Sequence, residues 1–164
     1  FAKENLFNVL GNRLDFEELE VLDLFAGTGS ISYEFASRGA KAVTSVEINA
    51  VHYNFIRQTA RDFGFTALHP VKANVFLYLK SCAKQYDVIF SDAPYDLEGS
   101  EEVINLVFEH GLLREGGILI FEHSKGKDFS AHPRFASLRS YGSVQFSIFE
   151  MPGAEDEAEE EVEE

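Results

Sequence analysis

The stretch Val21-Leu22-Asp23-Leu24-Phe25-Ala26-Gly27-Thr28-Gly29 constrains the fold more than any other part of this chain. A short apolar run ending in two closely spaced glycines reads as a buried β-strand that delivers the backbone into a tight turn. Strands apolar on both faces belong to parallel sheets, and parallel neighbours need crossover connections that are usually helices. The rest of the chain alternates accordingly. Helical spacing appears over residues 3–10, 30–37, 49–63, 75–83 and 101–110, and apolar strands over 20–25, 42–47, 68–72, 86–91 and 118–122. In the first helix Leu6, Phe7, Val9 and Leu10 share a face, with Gly11 placed as a cap; in the third, Val51, Phe55, Ile56, Ala60 and Phe63 do so. The alternation stops at residues 135–141 and 143–149, two strands separated only by Gly142 and its neighbours. So short a link demands an antiparallel hairpin. The expected architecture is α/β: a Rossmann-like, mostly parallel seven-stranded sheet with a C-terminal antiparallel hairpin and helices on both faces.

At 164 residues the chain has room for a sizeable core, and we expect one domain over residues 1–151. A single cysteine, Cys82, excludes an internal disulfide and suits a reducing compartment; its apolar neighbours predict a small buried residue. No run approaches the roughly 18 apolar residues of a membrane span, and none resembles a signal peptide, so a cytoplasmic location is expected. The net charge of −14 is concentrated at the C-terminus, where eight of residues 155–164 are acidic; without them 20 acidic residues face 14 basic ones. Residues 152–164 therefore read as a disordered, solubilising acidic tail. The five histidines show no metal-ligand spacing and no metal is expected.

Gly27 and Gly29 permit positive φ and a close approach of backbone to a ligand. A pyridine dinucleotide motif would place a third glycine where Ser32 stands. Asp23 is costly to bury unless something pairs with it. Glu47 closes the second strand at about the spacing where a carboxylate reaches ribose hydroxyls; a solvated strand-end glutamate is the alternative. Asn74 follows the third strand, as an acceptor for an adenine amino group or as the N-cap of the next helix. The expected cofactor site comprises Asp23, the turn of Phe25, Ala26, Gly27, Thr28 and Gly29, then Glu47 with Ile48, and Asn74 with Val75.

The strand Asp87-Val88-Ile89-Phe90-Ser91 ends in Asp92-Ala93-Pro94-Tyr95. A ring-conjugated amine is a poor nucleophile, and acceptors on its two N–H groups return electron density to nitrogen. Asp92 offers a carboxylate and Ala93 a carbonyl; Pro94 stiffens the turn and Tyr95 offers a face for stacking a base. A plain β-turn is the alternative. With the glycine turn at the same sheet edge, the pairing suggests a methyltransferase using S-adenosylmethionine, with Asp92, Ala93, Pro94 and Tyr95 as its catalytic set. The layout is that of class I methyltransferases. His123 and Glu122, at the end of the fifth strand, lie near the expected pocket. Lys125, Lys127, Arg134 and Arg139 are candidates for RNA contact or simple surface charges.

Taken with Ala2-Lys3-Glu4-Asn5-Leu6-Phe7-Asn8-Val9-Leu10 and Ser37-Arg38-Gly39-Ala40, these motifs resemble the RsmD-type 16S rRNA (guanine-N2) methyltransferase family over nearly all but the tail. The Lys-Glu-x-Leu-Phe-Asn segment points to this family rather than to class I enzymes at large. The resemblance implies S-adenosylmethionine as cofactor, the N2 amine of a 16S rRNA guanine as acceptor, a small ribosomal subunit or assembly intermediate as substrate, and a monomer. The family pattern is Asp-Pro-Pro-Tyr or Asp-Pro-Pro-Phe, and Ala93 replaces its first proline. The family also carries a basic segment ahead of the first helix, which this chain is expected to lack. Methylation of adenine N6 or of a protein glutamine, or cofactor binding without catalysis, are the alternatives the residues leave open.

Overall fold

The computed structural model describes residues 1–153; of the disordered acidic tail expected over residues 152–164, all but Pro152 and Gly153 lies outside the described residues. Five helices alternate with the first five strands: α1 Ala2–Gly11, β1 Glu20–Leu24, α2 Ser30–Ser37, β2 Ala42–Val46, α3 Ala50–Asp62, β3 Leu68–Val71, α4 Val75–Ser81, β4 Tyr86–Ser91, α5 Glu102–Glu109 and β5 Leu113–Ser124. The hairpin β6 Phe135–Tyr141 and β7 Val144–Glu150 completes the chain order, turning at Gly142 with φ of 62°. One sheet in the order β3-β2-β1-β4-β5-β7-β6 holds all seven strands. β1 to β5 are mutually parallel, and β7 runs antiparallel between β5 and β6.

The two faces of the sheet bury separate cores. Leu22, Leu24, Ile89 and Leu119 pack under α4 and α5, against Val75, Leu79, Val103 and Val107. Val21, Val43, Val88, Phe90 and Ile120 point the other way, toward α1 and α2. Opposite orientation of alternate strand residues explains why β1, β4 and β5 are continuously apolar. Leu6, Phe7 and Leu10 of α1 are buried there, and Phe7 meets Phe35 edge-on at a centroid distance of 4.9 Å. The Arg38 guanidinium lies 5.0 Å from the Phe7 ring centroid, so the Ser37-Arg38-Gly39-Ala40 stretch and the first helix support each other. At the N-terminal ends of the strands Arg114 donates to Asp87 at 2.9 Å and to Glu20 at 3.0 Å, tying β1, β4 and β5 together.

Several expectations need correction. Of the proposed apolar face of α3 only Ile56 is buried, while Val51 is 75% and Phe63 73% exposed. The helix lies over a four-residue edge strand, and Phe63 instead stacks on Phe65. Asn12, not Gly11, caps α1, because Gly11 remains helical. β5 is far longer than residues 118–122, since Leu113 already pairs with Tyr86 before the irregularity at the two glycines. Cys82 caps α4 half-buried, its Sγ facing the Lys84 carbonyl. Among the described residues no helix is long and apolar enough to cross a membrane. Truncating Phe7 to Ala leaves a void between α1 and the sheet, and urea denaturation should show a loss of about 3–5 kcal/mol.

Candidate active site

The C-terminal ends of β1, β4 and β5 open on one edge because their registers align: Leu24 pairs with Ser91, and Ser91 with Phe121. The residues one or two steps further, the 25–29 turn, Asp92 and Glu122, therefore emerge side by side. Phe25 leaves β1 in the left-handed region, with φ of 55°. A bulky residue held there is strained, and such strain is tolerated where surrounding structure fixes the turn. Here the Ala26 N–H donates to the Val46 carbonyl at 3.0 Å, and the Gly29 N–H to the Ala26 carbonyl at 2.9 Å. Gly27 also has positive φ, and a Cβ built on it would meet nothing within 4 Å. Its backbone thus faces open space.

That space is a cavity of about 740 Å³, bordered by Phe25, Gly27, Glu47, Ile48, Asn74 and Val75 among others. Glu47 sits just past β2, 9% exposed, and its two carboxylate oxygens each accept a backbone N–H: Gly27 at 2.8 Å and Asn49 at 2.8 Å. Each oxygen keeps a second lone pair for a ligand hydroxyl. The Asn74 side chain accepts the Leu77 N–H at 3.1 Å, so it caps α4 while bordering the cavity. Phe25 and Phe76 meet edge-on at 6.1 Å and give the cavity an apolar flank. A glycine wall, a pre-oriented carboxylate and an apolar flank suit a nucleoside-bearing cofactor, as expected for S-adenosylmethionine. Its volume falls in the usual range for small-molecule sites, about 300–1,000 Å³.

Four of the residues expected to hold a cofactor do not line this cavity. Asp23 is sealed beneath the turn, accepting from Ser32 Oγ at 2.6 Å; Ser32 Oγ in turn lies 2.6 Å from Ser45 Oγ. Gly29 serves packing: a Cβ there would fall 2.7 Å from the Tyr33 ring, and it caps α2 in the left-handed conformation. Ala26 forms the internal hydrogen bonds of the turn, and Thr28 is exposed and does not border the cavity.

Asp92, Ala93, Pro94 and Tyr95 form the partition between this cavity and a second one of about 240 Å³. The second cavity adds Phe121, Glu122, His123, Ser124 and Lys127 from β5 and the loop after it, with Ser143 and Val144. Tyr95 is fully exposed at its rim. The Glu122 and Asp92 carboxyls hydrogen-bond to each other. Burial, then the neighbouring Asp92 charge, pushes Glu122 up to about 8. Asp92 is raised by burial, an effect its hydrogen bond with Glu122 partly offsets. The pair therefore retains a proton near neutrality. Sequence reasoning puts Glu122 near the pocket without making it a site residue, and its strand-end position is the signal that could have done so. His123 is held within the protein, Nε2 lying 2.7 Å from Ser147 Oγ and Nδ1 2.9 Å from the Ser124 carbonyl. Lys127 pairs with Glu101. Among the described residues no group of three or more His, Cys, Asp or Glu is arranged to hold a metal.

Comparison with known proteins agrees with this geometry. A family model described as conserved hypothetical protein 95 matches residues 1–150. The ribosomal RNA small subunit methyltransferase D of Escherichia coli K12 is 30% identical over 153 residues, covering 91% of this chain and 76% of the relative. The protein of the same name from Buchnera aphidicola subsp. Baizongia pistaciae is 29% identical over 122 residues, covering 74% of this chain; the match spans 62% of that relative's length. Among solved structures, yhhF from Escherichia coli has a TM-score of 0.83 at 22% identity, covering 93% of this chain and 86% of that one. The 16S rRNA N2 methyltransferase RsmC of T. thermophilus, solved with AdoMet and guanosine, has a TM-score of 0.73 at 20% identity, covering 92% of this chain and 43% of that one. At these identities the structures speak to the fold.

The state of Asp23 gives the first site prediction. Its burial raises it from 3.8 to about 7. The folded form then holds a proton that the unfolded chain releases, so this group's contribution to stability is full below pH 4 and is lost as pH rises toward 7. In urea titrations Asp23→Asn should be spared that loss: its stability relative to the unsubstituted protein should improve between pH 4.5 and 7.5.

Proposed function

The chain belongs to the conserved hypothetical protein 95 family, that of the RsmD-type methyltransferases, and from this premise we propose that it methylates the exocyclic N2 amine of a guanine in small-subunit (16S) rRNA. The observation that carries the reading is the shared partition: the Asp92–Tyr95 turn faces the cofactor-sized cavity on one side and the smaller cavity on the other. A group transferred between the two ligands must pass at Asp92.

The residues divide the work. Gly27 lets the cofactor lie against the backbone, and Glu47, fixed by two amide N–H groups, accepts from its ribose hydroxyls. Asn74 takes the adenine amino group with the lone pair not used in capping. S-adenosylmethionine, when bound, supplies a methyl group already attached to its leaving group. Asp92 and the Ala93 carbonyl accept the two N–H groups of the amine and aim its lone pair, while Tyr95 stacks on the extruded base. The Ala93 carbonyl makes this possible without the proline usual at its position. The remaining net acidity leaves little general attraction for phosphates. The reading accordingly places the chain, as a monomer in the cytoplasm, on a folded small subunit or assembly intermediate that presents the base.

Two substitutions separate the halves of the site. Glu47→Ala should weaken S-adenosylmethionine binding in calorimetry by about 10- to 100-fold, the usual cost of losing hydrogen bonds to a charged acceptor. Asp92→Ala should keep that affinity and lower transfer of labelled methyl to unmodified small subunits by about 10²- to 10³-fold, comparable to removing one electrostatic partner from a transition state. Wild-type protein that binds no S-adenosylmethionine would sink the reading.

A further inference from the structure

The smaller cavity holds a carboxyl group that amine activation does not use. We propose that Glu122 sets base specificity: it accepts the N1–H of the guanine whose N2 amine is held by Asp92. The inference rests on the function proposed above and names the feature that selects the base.

Asp92 and Glu122 come directly after Ser91 and Phe121, paired residues of adjacent parallel strands, and both border the smaller cavity. The two carboxyls lie close enough to shift each other's titration, so both are offered to the same cavity. Ionised, they are two adjacent acceptors with no donor between them. The Watson–Crick edge of guanine is the natural complement, since N1–H and the N2 amine are neighbouring donors. Adenine presents its N6 amine beside an N1 lone pair, and cytosine its N4 amine beside an N3 lone pair. Against either, an ionised Glu122 would set lone pair against lone pair. A site built to accept a particular N–H discriminates strongly against an analogue that lacks it, because buried polar groups are left unpaired.

The same geometry links recognition to a proton. In the free protein the pair holds one; a protonated Glu122 would donate to a lone pair at N1, so the preference for guanine belongs to the ionised form, and guanine binding favours loss of that proton. The charged and titratable groups around the pair are Asp23, whose charge and that of Asp92 act on each other, His123, whose ring nitrogens are engaged by Ser147 and Ser124, and Lys127, which is paired with Glu101. Glu122→Gln leaves Asp23 and Asp92 in place, so the part of the pH dependence that the variant loses belongs to Glu122.

The test compares guanosine with 2-aminopurine riboside, which keeps the N2 amine but has a lone pair at N1. Binding of each nucleoside to the full chain loaded with S-adenosylhomocysteine is measured by NMR titration, for wild type and Glu122→Gln. At pH 8.5, where Glu122 is mostly ionised, wild type should favour guanosine by at least about tenfold. Glu122→Gln, whose amide can turn either an acceptor or a donor to N1, should lose the preference. Wild-type affinity for guanosine should rise from pH 6.5 to 8.5, and that of the variant should stay flat. Unchanged S-adenosylhomocysteine affinity establishes that the variant is folded. A guanosine preference equal in both proteins, or no guanosine binding by either, overturns the proposal. Failure of the function itself has a separate signature: the preference is lost in the variant as expected, yet wild type transfers no methyl group to small subunits.

Discussion

The parallel pairing of β1, β4 and β5 is the constraint on which the rest of the structure depends. Leu24, Ser91 and Phe121 stand at the same level across three adjacent strands, so the next residues of all three are delivered to one place. Those residues are a glycine turn, an aspartate and a glutamate. The level itself is set by side chains buried on both faces of the sheet, including Leu22, Ile89 and Leu119 on one and Val21, Val88 and Ile120 on the other. A slip of one residue would exchange those two sets and turn Asp92 away from its neighbours. Arg114, clasping Glu20 and Asp87 at the opposite ends of the strands, holds the same register from below.

Concentrating carboxyl groups at one sheet edge is electrostatically costly, and the fold meets that cost in three ways. Asp23 is pushed up to about 7 by burial, against the lowering effect of its hydrogen bond from Ser32, so that its charge is partly suppressed near neutrality. Glu47 is satisfied by two backbone amides, which also shape the turn it faces. Asp92 and Glu122 share a proton with each other. The three solutions suit different work: support beneath the cofactor turn, recognition of hydroxyls, and recognition of a base that brings its own donors.

Much of the sheet is legible in the sequence because its signals are local. β4 at residues 86–91, α2 at 30–37 and β6 at 135–141 have the bounds expected of them, where apolar runs meet glycines or charges. The third helix is not legible in the same way. Its apolar side is real in sequence, but periodicity cannot tell that β3 is a short edge strand offering cover for Ile56 alone. Six of the ten residues expected around the cofactor line the large cavity. The other four lie outside that lining for reasons of depth or packing: Asp23 reads as a ligand group until the Ser32 hydroxyl, nine residues on, is placed over it. Glu122 is the converse case. A glutamate within an apolar strand carries no visible role until the sheet sets it beside Asp92.

The central claim is that this edge of the sheet delivers a methyl group to the N2 amine of guanine in small-subunit rRNA. The most direct measurement is mass spectrometry of nucleosides from unmodified small subunits after incubation with the protein and S-adenosylmethionine. The account predicts a single new product, N2-methylguanosine. A product carrying the methyl group on adenine N6, or the absence of any methylated nucleoside despite cofactor binding, would contradict it.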